Sequence, residues 1–277
     1  MKLEDKFDWV VDSKQHPFHL PFKEVWRYRD MLYFLAIRDY KIRFKQSALG
    51  FLWALIQPLV MITIFYFIFS KSLGVEFEGG PYILFFLCGF IPWNYFSKAI
   101  SYGSTAFIGE AELIKKVYFP RIILPIATTF SSLSDIIFSF IILVVMLVYY
   151  GVSLNPNIVW LPLFFMLMLT YATSLSLWFG TLNVRFRDIQ ILLPFMIQSL
   201  FMLTPLAYPI DKFPESMHWI FIFNPMAGII EGFRFSILGV GDPWNFFFIC
   251  SYFFIFFVFL SGLFLFNQLQ HKFADII

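Results

Sequence analysis

The sequence predicts an all-α, polytopic membrane protein with six transmembrane helices and both termini in the cytosol. Three observations lead there. Of 277 residues, 60% are hydrophobic and only 14% charged, against roughly 25% charged in soluble domains. Uncharged or nearly uncharged runs, each near the roughly 20 residues needed to cross a bilayer core, recur six times and leave no room for a separate catalytic domain. Sixteen of the twenty Lys and Arg residues fall on one side of the resulting topology, ten of them within residues 1–50. Only Lys71, Lys212 and Arg234 fall in the opposite loops, with Lys98 inside a span. Basic loops remain cytosolic.

Residues 1–21 form a mixed cytosolic tail. His16, Pro17, His19 and Pro21 favour an extended chain over a helix, and the two histidines lack partners at metal-ligand spacing. The start, MKLEDKFDWVVD, is acidic and carries no apolar region of signal-peptide type, so the first span is expected to direct insertion.

Residues 22–46 change to a helical pattern. Phe22, Val25, Trp26, Leu32, Tyr33, Ala36, Ile37, Tyr40 and Phe44 form an apolar stripe, opposed by Lys23, Arg27, Asp30, Arg38, Lys41 and Lys45. An amphipathic helix in the membrane interface is expected, with membrane lipid as a partner of Trp26, Arg27, Arg38, Lys41 and Arg43; packing on a soluble partner is the alternative.

The spans are placed at about 49–70, 82–106, 122–150, 158–182, 189–208 and 243–266. Cys88 and Cys250 lie inside apolar runs and read as small buried hydrophobes. Asp135 is the acid deep within a span, where an ionised group is expensive and functional by default; a hydrogen-bonding neighbour among Ser131, Ser132 and Ser134 is the simpler reading. Lys98 is expected to snorkel or to face protein.

Two connections are unusual. Residues 109–121, GEAELIKKVYFPR, are a charged island between apolar runs. Glu110, Glu112, Lys115 and Lys116 suit a helix, Leu113, Ile114 and Val117 give it an apolar edge, and Pro120 stops it before the next span. The stretch reads either as a solvated loop or as a plug for another protein's socket. The second connection, residues 211–242, contains an uncharged run from Met217 to Ile230 broken at Asn224 and Pro225. It is too short for two crossings, so it dips into the membrane or rests on the headgroups. Glu231 and Arg234, at i and i+3, are spaced to pair on the second of two short helices.

The chain lacks GxxxxGK[ST], so any ATP, with its Mg, must be handled by a partner and no cofactor is expected here. GxSxG, HExxH and any intramembrane cluster of acids and histidines are also missing, no metal-ligand spacing occurs, and no nucleic-acid partner is expected. The aromatic content, 41 Phe, 13 Tyr and 8 Trp, suits lipid-facing packing or a surface that grips sugar rings.

Read together, RDYKIRFKQSALGFLWALIQPL (38–59), IPWNYFSKAISYGS (91–104), ELIKKVYFPRIILP (112–125), NVRFRDIQILLPF (183–195) and YPIDKFPESMHWIFIFNPMAGIIEGFRFSILG (208–239) resemble the polysaccharide-exporter permeases of the ABC-2 type. The resemblance covers about residues 22–266. It implies a homodimer bound to two copies of an ATPase subunit, in a bacterial inner membrane. It also implies a coupling helix at 109–118 that includes Glu110, Glu112, Leu113, Ile114, Lys115, Lys116 and Tyr118. Paired external gate helices would occupy about 211–238, with Trp219, Asn224, Pro225, Gly228, Glu231 and Arg234. The implied cargo is an undecaprenyl-linked polysaccharide, O-antigen first. Arg38, Arg43, Arg185 and Arg187 are candidate contacts for the lipid pyrophosphate, because guanidinium forks suit phosphate, although cytosolic placement explains the same residues. Alternatives are export of teichoic acid, capsule, a small lipid or a drug; an ion-coupled transporter using Asp135, which would be expected to show paired broken helices in an internal repeat; and a membrane-embedded transferase.

Overall fold

The computed structural model describes residues 22–45, 52–72, 74, 80–153 and 155–273. The tail at 1–21 and the segment around 46–51 lie outside these residues. Among the described residues the regular structure is entirely helical: α1 (Phe22–Arg27), α2 (Arg29–Lys45), α3 (Leu52–Phe65), α4 (Tyr82–Gly109), α5 (Ala111–Lys116), α6 (Ile123–Ser131), α7 (Leu133–Tyr149), α8 (Leu161–Arg185), α9 (Ile189–Leu203), α10 (Pro225–Leu238) and α11 (Phe246–Leu269). α3 continues as a π-helix over Tyr66–Ser72, and short 3-10 turns precede α8 and α10.

α4 is the axis of the bundle. It is buried along most of its length and packs against α8, α6, α7 and α10. Apolar side chains gain little from leaving lipid for protein, so close backbone approach has to supply the packing, and small residues permit it. A Cβ on Gly180 of α8 would stand 2.9 Å from the carbonyl oxygen of Gly103, and one on Gly103 would overlap Ser176. Polar groups seal the same seam: Ser176 donates to the Ala99 carbonyl at 3.1 Å and the Asn183 amide to the Ser104 carbonyl at 2.7 Å.

Two cores follow from this axis. The larger collects α4 with α7, α8, α10 and α11, including Phe96 stacked on Tyr171 at 5.0 Å. The second lies at the Gly109 end of α4 and gathers Leu35 of α2, Phe107, Ile114, Ile123, Leu177, Leu263 and Phe266.

Among the described residues, five helices are long and apolar enough to cross a membrane: Leu52–Ser72, Tyr82–Gly109, Ile123–Tyr149, Pro156–Arg185 and Phe246–Leu269. The fifth expected span differs. α9 stops at Leu203 after 15 residues, and Thr204 is extended; the cause is Pro205, whose ring disfavours helical backbone in the residue before it. A sixth crossing arises only if the bent pair Glu215–Phe223 and Pro225–Leu238, at 102° to each other, is one span.

The stripe expected on the first helix is also redistributed. The helix breaks at Tyr28, and its inward face consists of Val25, Tyr28, Met31, Leu32 and Leu35. Trp26, Tyr33, Phe34 and Ile42 point outward instead. Apolar residues thus occupy two faces, one packed on α6 and the other exposed.

Candidate functional site

The charged island folds as a short helix pinned at both ends. Glu110, between α4 and α5, forms an ion pair with Arg38 of α2, and Arg38 also donates to Asp39 at 2.8 Å. The Glu110 hydrogen bond raises the Arg38 pKa, so this guanidinium is committed to the joint as a cation. Behind it lies a cavity of about 270 Å³ between α2, α4 and α6. After α5, Phe119 is buried in the second core, and Arg121 donates to the Gln270 carbonyl beyond α11.

Within α5 the expected docking edge is turned around. Ile114 is buried against the protein's own second core and Leu113 packs beside it, because the helix is amphipathic and α4, α6 and α8 already offer an apolar surface. The free face carries Glu112, Lys115 and Lys116, followed by Val117 and Tyr118, the last 70% exposed. Glu112 and Lys116 pair across one helical turn at 2.8 Å.

On the flank of the bundle, α3, α4 and α9 enclose an open groove of about 770 Å³. Its walls carry the rings of Trp53, Phe90, Trp93, Tyr102 and Phe201, with Trp93 and Phe201 edge-to-face at 5.5 Å. Between the rings stand the amides of Gln57, Asn94 and Gln198, the hydroxyls of Ser97 and Ser101, and Lys98. Gln57 and Gln198 are exposed on helices that their own chain covers poorly; Leu193 is the only buried residue of α9. An unsatisfied amide facing hydrocarbon is strongly unfavourable, so this face suits a wet surface or a second protein better than lipid. Asp135 forms an ion pair with Lys98 at 3.4 Å. Lys98 therefore pairs with protein on one side and borders the groove on the other.

At the other end of α4, α10 is buried within the bundle rather than laid on a surface. Glu231 and Arg234 pair at 3.4 Å, as their spacing predicts, and both are buried. Arg234 also donates to the Leu206 carbonyl at 2.8 Å and lies 3.6 Å from the centre of the Phe85 ring. Tyr82 donates to the Ala207 carbonyl at 2.8 Å, and Asn224 donates to Thr204 at 3.0 Å. The chain after α9 is thereby tied to α4 and α10. Pro225 starts α10 and Gly239, at φ +76°, ends it in a left-handed conformation suited to glycine. Gly228 leaves room for Phe248 and Tyr252, and Tyr252 donates to its carbonyl. Trp219, on the preceding 3-10 turn, is exposed.

The four arginines proposed for pyrophosphate do not share one environment. Arg38 is engaged by carboxylates, Arg185 at the end of α8 and Arg187 just after it are exposed with Arg185 stacked on Phe186, and the Arg43 side chain is outside the described residues. The groove was missed in the sequence. Its signal was the few amides, Gln57, Asn94 and Gln198, inside otherwise apolar helices.

A family model described as ABC-2 type transporter matches residues 31–238. The chain is 32% identical, over 250 residues, to the O-antigen export system permease protein RfbA of Klebsiella pneumoniae, which covers 90% of this chain and 95% of that protein. A protein of the same description from Myxococcus xanthus is 26% identical over 76% of this chain and 82% of its own. The polysialic acid transport protein KpsM of Escherichia coli is 23% identical over 74% and 80%. A bundle of long apolar helices and a match over most of its length establish that the chain is a multi-pass membrane protein belonging to the ABC-2 type transporter family.

Proposed function

We propose that this chain is the conduit-forming permease of an ATP-driven polysaccharide exporter in the inner membrane, with a lipid-linked glycan of O-antigen type as its cargo. The observation that carries this reading is the groove between α3, α4 and α9, about 770 Å³ in volume. Its rings offer faces whose negative quadrupole attracts the C–H edges of sugars, and its amides and hydroxyls pair with sugar hydroxyls. Many weak contacts of this kind hold a chain without fixing it. Two copies joined along the poorly covered α3 and α9 faces would close the groove into a conduit. The RfbA relatives favour O-antigen; the more distant KpsM makes a capsule-type polymer the second reading.

ATP is supplied by a separate subunit, since the chain has no phosphate-binding loop. Its docking surface is the free face of α5 with Val117 and Tyr118, on the cytosolic side where most Lys and Arg lie. Arg185 and Arg187, exposed on that side, meet the lipid pyrophosphate. α10 and the preceding 3-10 turn close the external end. The test is a deletion strain: surface glycan should disappear while lipid-linked glycan accumulates on the cytosolic side, and plasmid-borne protein should restore export. An unchanged surface glycan would contradict the reading.

A further inference from the structure

Lys98 is the single charged residue among the described residues lining the groove. It sits well inside α4, roughly 17 Å along the helix from Gly109 at 1.5 Å per residue. A lysine at that depth is unfavourable unless paired or put to use. Asp135 supplies a pair from behind: its carboxylate is 3.4 Å from the ammonium, and its side chain is only 6% exposed while that of Lys98 is 24% exposed. The two charges are thus arranged in depth, the acid withdrawn into the bundle and the ammonium presented to the groove. Asn94 and Ser101 lie one turn away on either side of Lys98 on α4, near positions i−4 and i+3. Both are groove-lining hydrogen-bonding groups.

We infer that Lys98 is an oxyanion-binding station in the groove, taking a phosphate or carboxylate carried by the cargo, with Asp135 as the counter-charge that keeps the hold weak. The inference rests on the groove being the glycan path. An ammonium alone in the groove would hold an anion tightly; a carboxylate 3.4 Å behind it cancels much of its field at a distance but leaves the N–H donors not turned toward Asp135 available at contact. A structural ion pair and a binding station differ in sign. If the pair only holds α4 to α7, removing either partner weakens the protein and changes ligand binding in the same direction. If Lys98 is a station, removing Lys98 abolishes anion preference and removing Asp135 strengthens it.

The experiment uses full-length permease in nanodiscs and equilibrium dialysis of three probes: inorganic pyrophosphate, a galacturonate trimer and neutral maltotriose. Wild type should bind at least one anion more tightly than maltotriose. Lys98→Gln should remove that preference, Lys98→Arg should retain it, and Asp135→Asn should strengthen it by about tenfold, as expected when a neighbouring opposite charge is removed. Preference for pyrophosphate alone assigns the station to the carrier headgroup; preference for galacturonate alone assigns it to an acidic sugar. If Asp135→Asn does not fold, Lys98→Gln against Lys98→Arg decides the matter. Anion preference that is absent from wild type, or unchanged in Lys98→Gln, overturns the inference while maltotriose binding upholds the groove. Maltotriose binding that is absent, or untouched by Trp93→Leu with Gln198→Leu, overturns the groove reading itself.

Discussion

Arg38 and Glu110 stand 72 positions apart in the chain and form one ion pair, joining α2 to the junction between α4 and α5. Their side chains are 29% and 24% exposed. Such a pair lies between the ~0–1 kcal/mol of an exposed bridge and the ~3–5 kcal/mol lost when one member of a buried pair is removed. Arg38→Ala should therefore lower stability by about 1–2 kcal/mol. In the proposed mechanism it should lower export further than that loss explains, because α2 no longer moves with α5. The double variant with Glu110→Ala should be hardly worse than either single change, as measured by a double-mutant cycle on Tm and by surface glycan.

For α5, the buried and free faces should separate cleanly. Ile114→Asp places a carboxylate in the protein's own core and should cost several kcal/mol, reducing the yield of folded permease. Tyr118→Ala with Val117→Asp, on exposed positions, should leave Tm within a degree or so of wild type and prevent co-purification of the ATPase subunit. Thermal unfolding and pull-down on the same preparations check both.

The buried pair on α10 yields a further expectation. Arg234→Met leaves Glu231 without its cation and the Leu206 carbonyl without its donor, for a loss of about 3–5 kcal/mol. Adding Glu231→Gln should recover much of it, since the uncompensated charge is then gone. Urea or thermal unfolding of the three variants decides this.

Orientation is checked by labelling. With Cys88 and Cys250 replaced by alanine, Ser216→Cys should react with an impermeant thiol reagent in intact cells, and Lys115→Cys only after permeabilisation. Both positions are exposed. The reverse pattern would invert the proposed topology.

Much of this architecture was legible in the sequence because membrane spans declare themselves locally. The runs that became α4, α8 and α11, the break at Asn224 and Pro225, and the Glu231 and Arg234 pair all follow from patterns within thirty residues. Three features were not legible, each for a physical reason. The apolar edge of α5 announces that something covers it, but periodicity cannot say whether the cover is a partner or the chain's own Phe107 and Ile123. The truncation of α9 depends on one residue, Pro205, within an apolar run that composition alone would carry to Tyr208. Arg38 with Glu110, and Lys98 with Asp135, are contacts between distant segments that only the packing of α4 brings together. The groove was hidden by abundance, since 62 aromatic residues mask the five that line it.

Passage of glycan along the groove of α3, α4 and α9 is tested most directly by obstructing that groove reversibly. In the permease lacking Cys88 and Cys250, a cysteine is placed at Gln198 in the groove, or as control at Ile141 on the outer face of α7, and modified with a bulky methanethiosulfonate. Glycan export is then measured in inverted membrane vesicles. Modification at position 198 should reduce export to background, reduction should restore it, and modification at position 141 should leave it unchanged. Undiminished export with position 198 fully modified would contradict the account.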